Sequence, residues 1–171
     1  ERIEMLVSSC SLFCTTDTCP IFNAGPKYLY FWDDDDSPQP VQVSAPEYFN
    51  FLKRYIKRNL QNHDLFPPSG QLSERAHQVL KTSYRRLFRI LSHLYTCHYS
   101  TLTTFNGFNI IEIMNTLLAH YACFALVYQL TTPDQFAPLR AVFTALNRNP
   151  SPTFRIPTSL IEDTTYIKTG T

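Results

Sequence analysis

The sequence predicts an all-helical domain that carries one small β-hairpin. Three observations predict it. Apolar residues recur at helical spacing through residues 73–94 and 136–146. Residues 109–130 are apolar on nearly every side, which suits the centre of a helical bundle. Four glycines in 171 residues are too few for the many tight turns of an all-β protein.

Taken in order, Ile3, Leu6 and Val7 are spaced like the tail of a helix, as if N-terminal helices were missing from this chain. Residues 14–27 read as a loop broken by Pro20, Gly25 and Pro26. Tyr28-Leu-Tyr-Phe-Trp32 is dense in strand formers, and Val41-Gln-Val43 alternates beyond an acidic, proline-bearing turn, which predicts a short β-hairpin with Asp33–Asp36 at its tip. Ser44-Ala-Pro-Glu47 is a capping box with proline in the first turn, and the helix it opens is expected to bury Tyr48, Phe51, Leu52, Tyr55 and Ile56. Pro67-Pro68 ends that region. From Ser73 a second helix carries the stripe Ala76, Val79, Leu80, Leu87, Ile90, Leu91 and Leu94. The apolar helix 109–130 follows. Thr132-Pro-Asp-Gln135 repeats the cap pattern ahead of Phe136, Leu139, Val142, Phe143 and Leu146. Periodicity fails after Pro150.

Composition excludes several classes. A formal net charge of +1 argues against a nucleic-acid binder, whose domain is usually strongly basic. The longest apolar stretch is interrupted by Glu112, Asn115 and His120, so neither a membrane span nor a signal peptide is expected. That points to a reducing cytoplasmic and nuclear setting. Five cysteines, an odd number, suit metal binding or free thiols better than a disulfide framework.

Two residue groups carry chemistry. Cys14 and Cys19 have four residues between them in a loop, and His93 and His98 have four between them far downstream, both within the usual gaps of paired zinc ligands. Positions five apart on an ideal helix are turned by about 140°, so the helix must end between the two histidines if both are to meet one ion. Cys97 competes with His98 as a ligand, and buried thiols beside a helix end are the plainer alternative. With two thiolates and two imidazoles the ion has no open position for water or substrate, so it acts as a staple. A zinc hydrolase would need such an opening and a carboxylate base, and no His-Glu-x-x-His motif occurs. The second group is basic. Lys81, Arg85 and Arg89 form one helix stripe flanked by Arg86, a cluster suited to phosphate, although a solvated helix face explains it as simply. The same plain reading is preferred for Lys53, Arg54, Lys57 and Arg58.

The segments Phe13-Cys14, Cys19-Pro20, Ala24-Gly-Pro-Lys-Tyr28, Trp32, Ser44-Ala-Pro46, Leu65-Phe-Pro67, Arg86-Leu-Phe-Arg89, Ser92-His-Leu-Tyr95 and Ala137-Pro-Leu139 occur in the order seen in the Mob/phocein (Mps one binder) family. The chain resembles that family over about residues 3–147, and the Ala-Gly-Pro-Lys-Tyr segment looks closer to its Mob one branch. The resemblance implies a four-helix bundle core with a structural zinc ion on Cys14, Cys19, His93 and His98. It implies a Mob-like domain over residues 1–149 and an extended tail over 150–171. It implies a non-catalytic adaptor that binds and activates NDR/LATS-class Ser/Thr kinases. Arg85, Arg86 and Arg89 would take phosphorylated peptides of upstream kinases or scaffolds. A phocein-like scaffold subunit of a phosphatase–kinase assembly, without phosphopeptide binding, is the alternative. The family's acidic kinase-binding surface lies largely N-terminal to this chain's first residue, with Glu1 and Glu4 near it.

Overall fold

The computed structural model describes residues 7–34, 39–104, 110–148 and 156–161. It is mostly helical, as the sequence predicts, and internal contacts divide it into two units, Glu1–Tyr99 and Ser100–Thr171.

In the first unit residues 7–10 are helical and pass into turns at 11–14. Helix α1 spans Ala45–Leu60 and starts as the sequence dictates. The Ser44 hydroxyl accepts from the Glu47 amide, and a Glu47 carboxylate oxygen accepts from the Ser44 amide at 2.9 Å. Those bonds satisfy two of the four amide donors that a helix start leaves unpaired, and the Ser44 hydroxyl, which donates to the Glu47 carboxylate at 2.6 Å, together with the Ser44 amide holds that carboxyl below its usual range. The buried face is Ala45, Tyr48, Phe49 and Leu52, with Phe51, Tyr55 and Ile56 half-buried. Phe49 takes a place that the spacing gave to Phe51, because the aromatic loop 22–32 meets α1 on its Tyr48–Phe49 side.

Helix α2 spans Glu74–Cys97, capped by the Ser73 hydroxyl, which accepts from the Ala76 amide at 3.1 Å. It packs on α1. Ala76, Phe88, Ile90, Leu91, Leu94 and Tyr95 form its buried apolar face. Burial of such side chains contributes about 1.5–3 kcal/mol each and outweighs the poor helix propensity of the β-branched and aromatic residues within it.

The expected hairpin is reduced to isolated bridges. Trp32 and Val41 exchange both amide–carbonyl bonds at 2.8 Å, and a second bridge joins Asn23 and Leu29. Val43 accepts from the Phe22 amide and Phe22 accepts from the Tyr30 amide, so three short extended segments share bonds without a ladder. Pro40, next to Val41, has no amide to continue the pairing. The hairpin tip at Asp35–Asp36 lies outside the described residues, as do Glu1 and Glu4. Gly25 has φ +74, a left-handed turn that an L side chain adopts only under strain, and this turn returns the chain from Asn23 to Tyr28.

Helix α3, Tyr99–Thr104, leads the chain into the second unit. There α4 spans Ile110–Val127 and buries Ile111, Met114, Leu118, Tyr121, Ala122 and Ala125. It is long and apolar enough to cross a membrane by length and composition alone, and 39% of it is buried within the structure. The expectation of burial on every side fails: Ile113 is 68% exposed and Val127 75%. A helix apolar all round has no marked face, so composition does not say which side its neighbours leave bare.

The second cap pattern also fails. Thr132 makes no side-chain cap bond, and Pro133–Leu139 is a 3-10 helix with Pro138 inside it. Proline has no amide to donate to the preceding turn, so regular helix resumes only as α5, Arg140–Arg148. Phe136 packs edge-on against Phe143 and Tyr121. Past residue 150 the chain is not wholly extended: Thr158–Leu160 forms a 3-10 turn that packs on the 133–139 helix and buries Ile156 and Leu160.

Candidate metal centre

Four side chains of the first unit converge. Cys14, Cys19, His93 and His98 are all buried, and their ligand atoms lie within 4.8 Å of one another. The loop is shaped by local bonds. The Cys14 amide donates to Cys10 and the Cys19 amide to Thr15, which turns both thiols the same way. The Thr18 hydroxyl donates to the Phe13 carbonyl at 2.8 Å and accepts from the Thr15 amide at 2.9 Å. The Cys19 carbonyl then accepts from Ala45 at the start of α1.

The histidines come from the end of α2, which stops as the spacing requires. Cys97 is its last residue, and His98 follows with φ −128 and ψ 13, outside helical values. That departure swings the His98 ring back, so the two Nε2 atoms stand 3.2 Å apart. Cys14 Sγ lies 3.4 Å from His93 Nε2, and Cys19 Sγ lies 3.3 Å from His98 Nε2. A tetrahedral ion with sulfur and nitrogen bonds of normal length separates its ligands by roughly 3.3–3.8 Å, so the spacing fits one ion.

The tautomer supports this. His93 Nδ1 lies 2.7 Å from the Asn23 carbonyl, which can only accept, so Nδ1 carries the proton and Nε2 offers a lone pair to the cluster. Burial lowers the pKa of both imidazoles, that of His98 to about 4, so both are neutral at neutral pH. Burial and the neighbouring Cys19 push the Cys14 thiol far up. A cation is what would offset that and draw off the proton. Phe22 and Phe49 wall His93, and Phe13 lies 5.1 Å from the His98 ring. Cys97, the competing ligand in sequence, stays outside. It is exposed, with its sulfur 3.4 Å from the Asn23 side-chain oxygen. The chain therefore has a buried Cys2His2 group able to hold a metal ion. Sequence reasoning missed Asn23, because a backbone acceptor leaves no trace in residue type.

The three arginines sit one to two turns upstream of His93 and are not equivalent. Arg85 is exposed. Arg89 donates to the Tyr48 hydroxyl at 3.1 Å and lies over the Tyr30 ring. Arg86 is 7% exposed, with its guanidinium over both Trp32 and Tyr55 and a hydrogen bond to the Asp33 carbonyl. Its Nη1 is buried with no hydrogen-bond partner. The stripe is thus one exposed, one positioned and one buried cation. Neither the stacking on Trp32 nor that on Tyr55 is visible in the spacing of α2 alone.

The family model for the Mob1/phocein family matches residues 1–139. A Dictyostelium discoideum protein named MOB kinase activator-like 1 homolog A is 31% identical over 88% of this chain and 70% of its own length. The Schizosaccharomyces pombe maintenance of ploidy protein mob1 is 32% identical over 81% of this chain and 66% of its own. The DBF2 kinase activator protein MOB1 of Saccharomyces cerevisiae is 34% identical over 81% of this chain and 44% of its own. The Dictyostelium and Saccharomyces relatives are named kinase activators. Similarity of this extent, over the segment that carries both the buried Cys2His2 group and the arginine stripe, places the chain in the Mob1/phocein family.

Proposed function

We propose that the protein is a non-catalytic adaptor, stapled by one zinc ion on Cys14, Cys19, His93 and His98, that binds and activates an NDR/LATS-class Ser/Thr kinase. The observation that carries the reading is the closed Cys2His2 cluster within a chain whose relatives are named kinase activators. Two thiolates and two imidazoles are the donor set of closed structural zinc sites, and they leave no coordination position for a reacting molecule. The core is the family's four-helix bundle, and the protein works in the cytoplasm and nucleus.

The same surface of α2 takes a phosphorylated peptide of an upstream kinase or scaffold. Arg85 meets the phosphate from solvent. Arg89, held by Tyr48 and Tyr30, presents a pre-positioned guanidinium, and Arg86 adds positive charge from behind. A phosphothreonine peptide titrated against the zinc-loaded protein is expected to bind, and binding weakens as salt rises. Arg89→Ala loses about 1.5–3 kcal/mol, the worth of a charge-assisted hydrogen bond. The burial of Arg86 favours one competing reading, a phocein-like scaffold subunit that does not use the pocket. Equal affinity of the wild-type and Arg89→Ala chains for the peptide would select that reading.

A further inference from the structure

Helix α4 turns one apolar side outward. All four large apolar side chains that are exposed among the described residues of the second unit lie on it or on the turn directly after it: Ile113, Phe124, Val127 and Tyr128. At about 100° per residue they share one stripe with Thr116 and His120, on the side away from the buried Met114, Leu118, Ala122 and Ala125. Tyr128 continues the stripe past the helix end. Its amide donates to the Phe124 carbonyl at 3.0 Å, and its ring lies 4.4 Å from the Phe124 ring. We propose that this apolar stripe is a self-association surface, on which a second copy of the chain lays its own α4 antiparallel in a two-fold dimer centred on His120.

The stripe is complementary to itself. A two-fold axis across an antiparallel helix pair brings together residues equidistant from the centre. Ile113 and Val127 both stand seven residues from His120, so apolar meets apolar at each end. Thr116 and Phe124 both stand four residues away. The Thr116 hydroxyl donates to the Glu112 carbonyl on its own helix at 3.2 Å, which leaves its methyl to meet the ring. Glu112 and Tyr128 both stand eight residues away, so a carboxylate faces a phenol that can donate to it. On the axis His120 meets its own copy, and a neutral imidazole offers one donor and one acceptor.

Charge favours a second copy over a charged partner. Glu112 is the one acidic residue of α4, and the helix has no lysine or arginine. The antiparallel pairing sets the two Glu112 side chains at opposite ends, about 24 Å of helix apart, so like charges do not meet. The area suffices for a pair. Ile113 is 68% exposed, Phe124 45%, Val127 75% and Tyr128 58%. At about 150–250 Å² for side chains of this size, they leave on the order of 500 Å² per chain. Two copies then bury about 1,000 Å², the lower bound of a specific interface, and the expected dimer is weak, with a Kd of about 10–100 μM. The inference does not depend on the zinc or the phosphate reading.

Sedimentation velocity of the zinc-loaded chain from about 5 to about 500 μM tests it. A monomer–dimer equilibrium is expected. The double variants Ile113→Lys/Val127→Lys and Ile113→Glu/Val127→Glu change only exposed side chains, so melting should be unchanged, and each should lose at least about tenfold in affinity through like-charge repulsion. Mixed in equal amounts they should recover the dimer, because each chain then sets its two introduced charges against opposite ones. A wild-type chain that stays monomeric at about 500 μM would overturn the proposal. So would a dimer that both double variants keep, or a loss that mixing does not restore. A monomer that floats with phosphatidylcholine vesicles, and no longer does so as Ile113→Lys/Val127→Lys, would assign the stripe to a lipid surface instead.

Discussion

His93→Ala, and likewise Cys19→Ser, is expected to yield a chain that carries no stoichiometric zinc and has lost the cooperative fold of residues 7–99. The effect is large because the staple replaces contacts that the chain does not otherwise make. Residues 11–24 hold no regular strand, and their ties to the end of α2 centre on the ligand cluster: the four ligands, the Asn23 carbonyl on His93, and the rings of Phe13 and Phe22 against His98 and His93. Metal affinity in such a site is folding free energy, on the order of 10 kcal/mol at neutral pH. That is comparable with the whole stability of a typical domain, about 5–15 kcal/mol. Removing one ligand also leaves the remaining buried thiol and imidazole facing each other without a cation. Circular dichroism and metal analysis of each variant give the answer. Cys97→Ser, which alters the exposed sulfur outside the cluster, is the control and should keep both fold and zinc. A folded His93→Ala chain with one zinc bound would remove His93 from the ligand set.

Phe22→Ala is expected to lower stability by about 3–5 kcal/mol, the range for deleting a buried phenylalanine. Phe22 is fully buried and joins the loop to both helices. It stacks on Tyr48 of α1 at 4.0 Å, meets Phe49 edge-on at 5.8 Å and touches the His93 ring at 5.3 Å on α2. With Tyr30 of the loop at 5.4 Å, the neighbours belong to three separate segments, so the hole cannot close by moving one side chain. Urea unfolding of the zinc-loaded chain reads the loss, and zinc stoichiometry should stay at one because no ligand is altered. A change under about 1 kcal/mol would mean that the loop packs less tightly than these ring contacts imply.

What was legible in the sequence follows from how local each signal is. The capping box at Ser44 and Glu47 acts within one turn, and the structure realises it. The end of α2 at Cys97 follows from the demand that two imidazoles five residues apart meet, a purely geometric condition on one helix. The Cys14/Cys19 and His93/His98 pairs were legible as pairs, but the choice between His98 and Cys97 was not settled by spacing. It turns on where the helix breaks, and that sends Cys97 out toward Asn23. Long-range facts were hidden. Nothing in the α2 periodicity says that Arg86 lies under Trp32 while Arg85 faces solvent, because both belong to one basic run. The stripe of β-formers at 28–32 suggested a hairpin, yet strand propensity records fit to a half-buried surface, and the loop satisfies that with single bridges. The cap pattern at Thr132 suggested regular helix, but Pro138 lacks the amide that a regular turn needs, and the segment is a 3-10 helix.

The central claim is that one ion closes the Cys14, Cys19, His93 and His98 cluster. X-ray absorption at the zinc edge of the purified chain tests it most directly, together with metal counting. The account predicts one zinc per chain, with two sulfur neighbours at about 2.3 Å and two nitrogen neighbours at about 2.0 Å. A folded chain free of metal, or a zinc shell with an oxygen from water in place of one of those four, would contradict it.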